Sequence, residues 1–131
     1  MKKLSILVVL LAFGLCFSQI QHEQTSTKTY TNKADTQPEF PGGIASFRSL
    51  VMNKLNFKAL SSLTGTVKSE AIFLIDSKGE ISSVNATGDH EGLNKEVVRA
   101  ISTISRKWKP ATYKNKPVEY WYTTQVSVSL D

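Results

Sequence analysis

The chain has 131 residues and a formal net charge of +5. This length leaves room for a single small domain. Its only cysteine, Cys16, excludes an internal disulfide, and its basic residues are spread out without interleaved aromatic residues on one face, which argues against nucleic-acid binding.

The first 18 residues have the pattern of a secretory signal peptide. Two lysines start it, residues 4–17 are apolar, and cleavage is expected before Gln19. The apolar run of about 14 residues is shorter than the roughly 20 that a membrane-spanning helix needs. We therefore expect export to the periplasm, and an uncleaved anchor formed by residues 4–17 is the alternative. Cleavage would lower the net charge from +5 to +3, since it removes two lysines and no acid.

A polar lead-in precedes the first helix. Residues 19–37 show no apolar periodicity, which predicts a flexible segment. Residues 38–43, Pro-Glu-Phe-Pro-Gly-Gly, combine two prolines with two glycines and predict a turn. Four apolar residues then recur at helical spacing: Ile44, Phe47, Val51 and Leu55. A first helix is expected over residues 43–55.

Two strands and a second helix follow. Residues 65–75 alternate with their odd positions inward, residues 76–79 (Asp-Ser-Lys-Gly) predict a hairpin turn, and a second strand is expected over residues 80–87. After a loop at residues 88–92, one apolar stripe predicts a helix that reaches Trp108. The stripe consists of Leu93, Val97, Ala100, Ile101, Ile104 and Trp108.

The end of the chain predicts one long strand. Residues 118–130 alternate strictly, with the even positions mostly apolar or aromatic and the odd ones mostly polar. A strand of about 12 residues is long against the usual 5–6. At a sheet edge, its unpaired backbone groups could pair with another extended chain. The candidate partner-binding residues are Trp121, Thr123 and Gln125 on the outward parity, with Tyr120 and Tyr122 beside them.

These elements predict an α+β domain, with two helices packed on a three-stranded antiparallel sheet in the order α-β-β-α-β. Trp121 has two interpretations, as an exposed residue or as one packed under a helix end. The residues expected to be buried together are Phe73, Val97, Ile101, Trp108 and Val126.

The sequence contains no recognisable catalytic or cofactor motif. His22 and His90 lack the spacing of a metal site, and no serine lies in a Gly-x-Ser-x-Gly elbow. Asp89 and Glu91 beside His90 are explained as acids at a helix N-terminus. We expect no enzyme activity, no metal and no cofactor, and a hydrolase acting on envelope material is the rival hypothesis.

Several segments, in this order and at this spacing, resemble the C-terminal domain of TonB. They lie at residues 38–43, 73–81, 93–104, 107–110 and 116–118. The resemblance covers residues 38–131 and implies a domain that binds the extended TonB box of an outer-membrane transporter through its last strand. Full-length members of that family pass energy from an inner-membrane motor to such transporters.

The chain also departs from that family. It shows no Pro/Lys-rich spacer, its apolar run has no Ser-x-x-x-His pattern, and residues 56–59 (Asn-Phe-Lys-Ala) replace the expected Tyr-Pro segment. We therefore expect a periplasmic binding domain without its own energy-coupling anchor. Its expected partner is a transporter or another envelope protein, or a second copy through the same edge. The alternatives are an anchored energy transducer that uses residues 4–17, and a structural domain that contacts peptidoglycan.

The signal peptide generates a first prediction. Because residues 1–18 should be removed on export, the intact mass of the secreted protein should correspond to a chain that begins at Gln19. A full-length mass in the inner-membrane fraction would instead favour the anchored transducer.

Overall fold

The structure, a computed structural model, describes residues 30–130. The expectations for the signal segment, and for the lead-in before Tyr30, lie outside these residues. The elements in chain order are α1 (Ile44–Lys54), a 3-10 turn (Phe57–Leu60), β1 (Gly65–Ile75), β2 (Ile81–Thr87), α2 (Glu91–Ser102), β3 (Ala111–Tyr113), β4 (Lys116–Val118) and β5 (Tyr120–Leu130).

The main sheet has three antiparallel strands in the order β2-β1-β5, so that the first strand is central and the last lies at an edge. The pairing of β1 with β5 runs without a shift from Gly65 opposite Leu130 to Ile75 opposite Tyr120. The α+β class, the two helices and the three-stranded sheet are confirmed. The expected order α-β-β-α-β is incomplete, because a separate hairpin, β3-β4, lies between α2 and β5.

The second helix ends earlier than its apolar stripe predicts. It stops at Ser102, where the hydroxyl groups of Ser102 and Thr103 donate to the carbonyls of Val98 and Ala100. Local hydrogen bonds of this kind compete with continuation of a helix. Trp108 therefore lies in the segment after the helix and not on its surface.

The last strand is also shorter than residues 118–130. Val118 ends β4, Glu119 separates the two strands, and β5 begins at Tyr120. β4 pairs with β3 across Lys114 and Asn115, which both have positive φ angles, of 51° and 64°. Two successive positive φ angles define the hairpin turn that usually carries Asn-Gly. The sequence concealed this turn because Lys-Asn is an uncommon choice for it.

The core contains side chains from both helices and from the inward face of β1 and β5. The expected core residues are all buried in one cluster: Phe73, Val97, Ile101, Trp108 and Val126. The Trp108 ring contacts Phe40, Phe47, Phe73 and Tyr122, with centroid distances of 5.3, 4.9, 5.9 and 5.0 Å. Aromatic pairs at such separations add to the free energy of burial.

The β1-β2 turn is fitted against the backbone of the same tryptophan. The amide of Trp108 donates to the carbonyl of Gly79 at 2.9 Å. Gly79 has a φ of 85°, and a β-carbon there would overlap the carbonyl oxygen of Trp108. Glycine is required at this position on both counts.

The burial of Trp108 generates a second prediction. Trp108→Ala should lower the free energy of unfolding by about 3–5 kcal/mol, because it leaves a cavity where four rings meet. Chemical denaturation measures this loss. Trp121→Ala, which removes the half-buried second tryptophan, is the matched control and should cost much less. Equal losses for the two variants would contradict the central position of Trp108.

Candidate functional site

The free edge of β5 is the main candidate for a binding surface. The backbone amide and carbonyl of Trp121 both bond to Asn32, which is not part of β1. They therefore point away from β1. In an antiparallel pair this orientation alternates along the strand, and the register with β1 is continuous. The residues that present an outward amide and carbonyl are thus Trp121, Thr123, Gln125, Ser127 and Ser129.

The opposite edge of the sheet is irregular. The pairing of β1 with β2 shifts between Ile72 and Leu74, and Ser83 on β2 has a positive φ of 51°. Bulges and local kinks of this kind hinder the addition of another strand. β5 is longer, with 11 residues against seven, and its pairing is regular. The difference between the two edges favours β5 as the site of strand addition.

Three of the predicted binding residues lie on the sheet face away from the core. Thr123 and Gln125 are exposed there, next to outward-facing backbone groups. Trp121 is half-buried, and its ring contacts that of Tyr30 at a centroid distance of 4.6 Å. It is therefore neither fully exposed nor packed under a helix end, because the lead-in shields it.

The other two predicted residues belong to the opposite face. Tyr120 and Tyr122 are half-buried, and the ring of Tyr122 packs against Phe73 and Trp108. Burial raises the pKa of the Tyr122 hydroxyl. Tyr122 is thus largely a core residue, and a partner at the edge would meet Thr123 and Gln125 first.

A shallow groove accompanies the open part of this edge. It is lined by Arg48, Met52, Gln125, Val126 and Ser127. Nε of Arg48 donates to the hydroxyl of Thr124 at 3.2 Å, which holds the side chain beside β5. An added strand would lie in this groove, with the side chains on one of its faces directed at α1.

The lead-in, expected to be flexible, makes specific contacts where the structure describes it. We call residues 30–36 the strap. The side chain of Asn32 donates to the carbonyl of Trp121 at 2.9 Å and accepts from the amide of Trp121 at 2.7 Å. At the other end of the strap, the amide of Asp35 donates to the carbonyl of Thr112 at 2.7 Å. Sequence reasoning missed these contacts, because a polar segment without periodicity carries no signal of its docking position.

The acidic loop before α2 does not form a catalytic arrangement in residues 30–130. Asp89 and Glu91 are exposed and His90 precedes the helix without capping it through its side chain. No hydrogen bond or ion pair of these three side chains occurs within the described part of the chain. Nor do its His, Cys, Asp and Glu residues form a cluster of three or more that could hold a metal ion.

Glu96 is the one carboxylate that is buried among the described residues, and its contacts are structural. It forms an ion pair with Arg99 and accepts the backbone amide of Asn56 at 2.6 Å. Arg99 also donates to the carbonyl of Lys54. The hydrogen bond from Arg99 lowers the pKa of Glu96. This pair ties α2 to the connection after α1, where the sequence departs from the TonB pattern.

No protein-family model matches this chain, and a search of curated proteins finds no significant relative. Within residues 30–130, none of the helices has the length and apolar character needed to cross a bilayer.

The lowered pKa of Glu96 generates a third prediction. The charged form stabilises the fold at pH values above the unfolded-state pKa of about 4.3, and this contribution is lost as the pH falls through the lower folded-state pKa. Glu96→Gln should therefore lower the thermal midpoint at pH 7, and the difference from wild type should shrink below about pH 4. Glu91→Gln, on the exposed first turn of the same helix, is the matched control and should have little effect at either pH. A deficit that is independent of pH would contradict the ion pair.

Proposed function

We propose that this protein is a periplasmic binding domain of TonB C-terminal type, which engages an extended segment of an outer-membrane transporter or another envelope protein by strand addition at β5. It acts without an energy-coupling anchor of its own. The observation that carries the proposal is the regular free edge of β5, with outward amides and carbonyls at Thr123, Gln125, Ser127 and Ser129.

Both the backbone and the side chains support this mechanism. Main-chain hydrogen bonds to the edge would supply affinity with little dependence on the partner's sequence. Thr123 and Gln125 on one face, and the groove at Arg48 and Met52 on the other, would supply specificity. Affinity should be modest, because ordering a flexible peptide opposes binding.

Self-association through the same edge is the second candidate, because two copies of β5 could pair across the same outward groups. Sizing of the purified protein distinguishes this dimer from a monomer that binds peptide. An anchored transducer, a peptidoglycan-contacting domain and a hydrolase remain as alternatives, and none of them makes use of the regular β5 edge.

Proline substitutions generate a fourth prediction. Thr123→Pro and Gln125→Pro each remove one outward amide and spare the hydrogen bonds between β5 and β1, so the domain should remain folded. Each should weaken the binding of TonB-box peptides by about tenfold, as expected for the loss of one hydrogen bond and local distortion of the strand. Titration followed by amide-resolved chemical shifts measures the affinity.

The matched controls are Thr123→Ala and Gln125→Ala, which remove the side chain and keep the amide. They should bind the peptides with nearly wild-type affinity. If the proline variants are folded and bind as well as wild type, or if shift changes are confined to the helices, strand addition at β5 is wrong.

A further inference from the structure

The strap occupies one position of the same edge that the proposed partner would use. Trp121 is the first outward-facing residue of β5, and Asn32 bonds both its amide and its carbonyl. A primary amide offers a donor and an acceptor, as a backbone peptide group does. The Asn32 side chain therefore takes the place that a residue of an added strand would take.

Two further contacts hold the strap in this position. The ring of Tyr30 covers that of Trp121 at 4.6 Å. Asp35 is bonded to the β3-β4 hairpin, where its carboxylate accepts the amide of Lys114 at 2.8 Å and its own amide donates to Thr112 at 2.7 Å. The strap is thus fixed at both ends, and it reaches the β5 edge only at Trp121.

We infer that the strap is an intramolecular competitor that closes one end of the binding edge. This inference rests on the proposed function. With the strap docked, the open edge runs from Thr123 to Ser129 and fits an extended segment of about seven residues, or about 20 Å. Release of the strap adds Trp121, with its backbone groups and ring, to the surface. A partner long enough to reach Trp121 must displace Asn32, and its affinity then depends on the fraction of molecules in which the strap is released.

The first test needs no partner. Asn32→Ala removes both hydrogen bonds to Trp121, so the hydrogen-exchange rate of the Trp121 amide should rise by about fivefold to tenfold, the order expected for one hydrogen bond. Amides of β5 that bond to β1, such as that of Thr124, should be unchanged. Thr31→Ala, an exposed change in the same segment, is the matched control. An unchanged Trp121 rate in a folded Asn32→Ala variant would overturn the inference.

The second test measures competition with TonB-box peptides long enough to reach Trp121. Their affinity for Asn32→Ala should exceed that for wild type by about the same factor as the exchange rate, because both quantities report one opening equilibrium. Tyr30→Ala should produce a smaller increase in both. A faster exchange rate with unaltered affinity would overturn the competitive role of the strap and leave strand addition intact. If no variant binds peptide, the proposed function fails, and the exchange rates alone decide whether the strap closes the edge.

Discussion

The contact of Trp108 with four other aromatic rings is the interaction on which the rest of the structure depends. It joins the entry segment through Phe40, α1 through Phe47, β1 through Phe73 and β5 through Tyr122. The backbone of Trp108 also bonds to the β1-β2 turn at Gly79. Segments that are distant in sequence thus meet at one side chain, which makes their positions interdependent. Removing that ring would disturb several elements together and not one local contact.

The same arrangement accounts for the position of the candidate binding edge. Tyr122 anchors the inward face of β5 next to Trp108, and this fixes which parity faces the core. The alternating backbone then directs the amides and carbonyls of Thr123 and Gln125 away from β1. Because side chains on the inward parity are held by the core, the outward groups are presented on a rigid strand. A rigid edge reduces the ordering that association requires of this protein and leaves that of the incoming peptide.

Two polar contacts fix α2 without weakening this core. Ser69 on β1 donates to the side chain of Asn94, at 2.7 Å, and Asn94 donates to the carbonyl of Gly88, at 3.0 Å. Glu96, one turn further along, is neutralised by Arg99. Each of these buried polar groups has a partner, as burial away from water requires. They orient the helix start, and this use of Asn94 and Glu96 leaves neither group free for chemistry.

The sequence by itself determined the elements whose signal is local. The alternation of residues 65–75 and the Asp-Ser-Lys-Gly turn predicted β1 and its hairpin, and the apolar stripe predicted α2 and the burial of Trp108. Only the tertiary structure decided where that helix ended, that β3 and β4 formed a separate hairpin, and that Asn32 closed the edge at Trp121. Periodicity reports which face of an element meets a core. It carries no information about a contact between a polar side chain and a strand 89 residues away, because such a contact depends on how the elements pack.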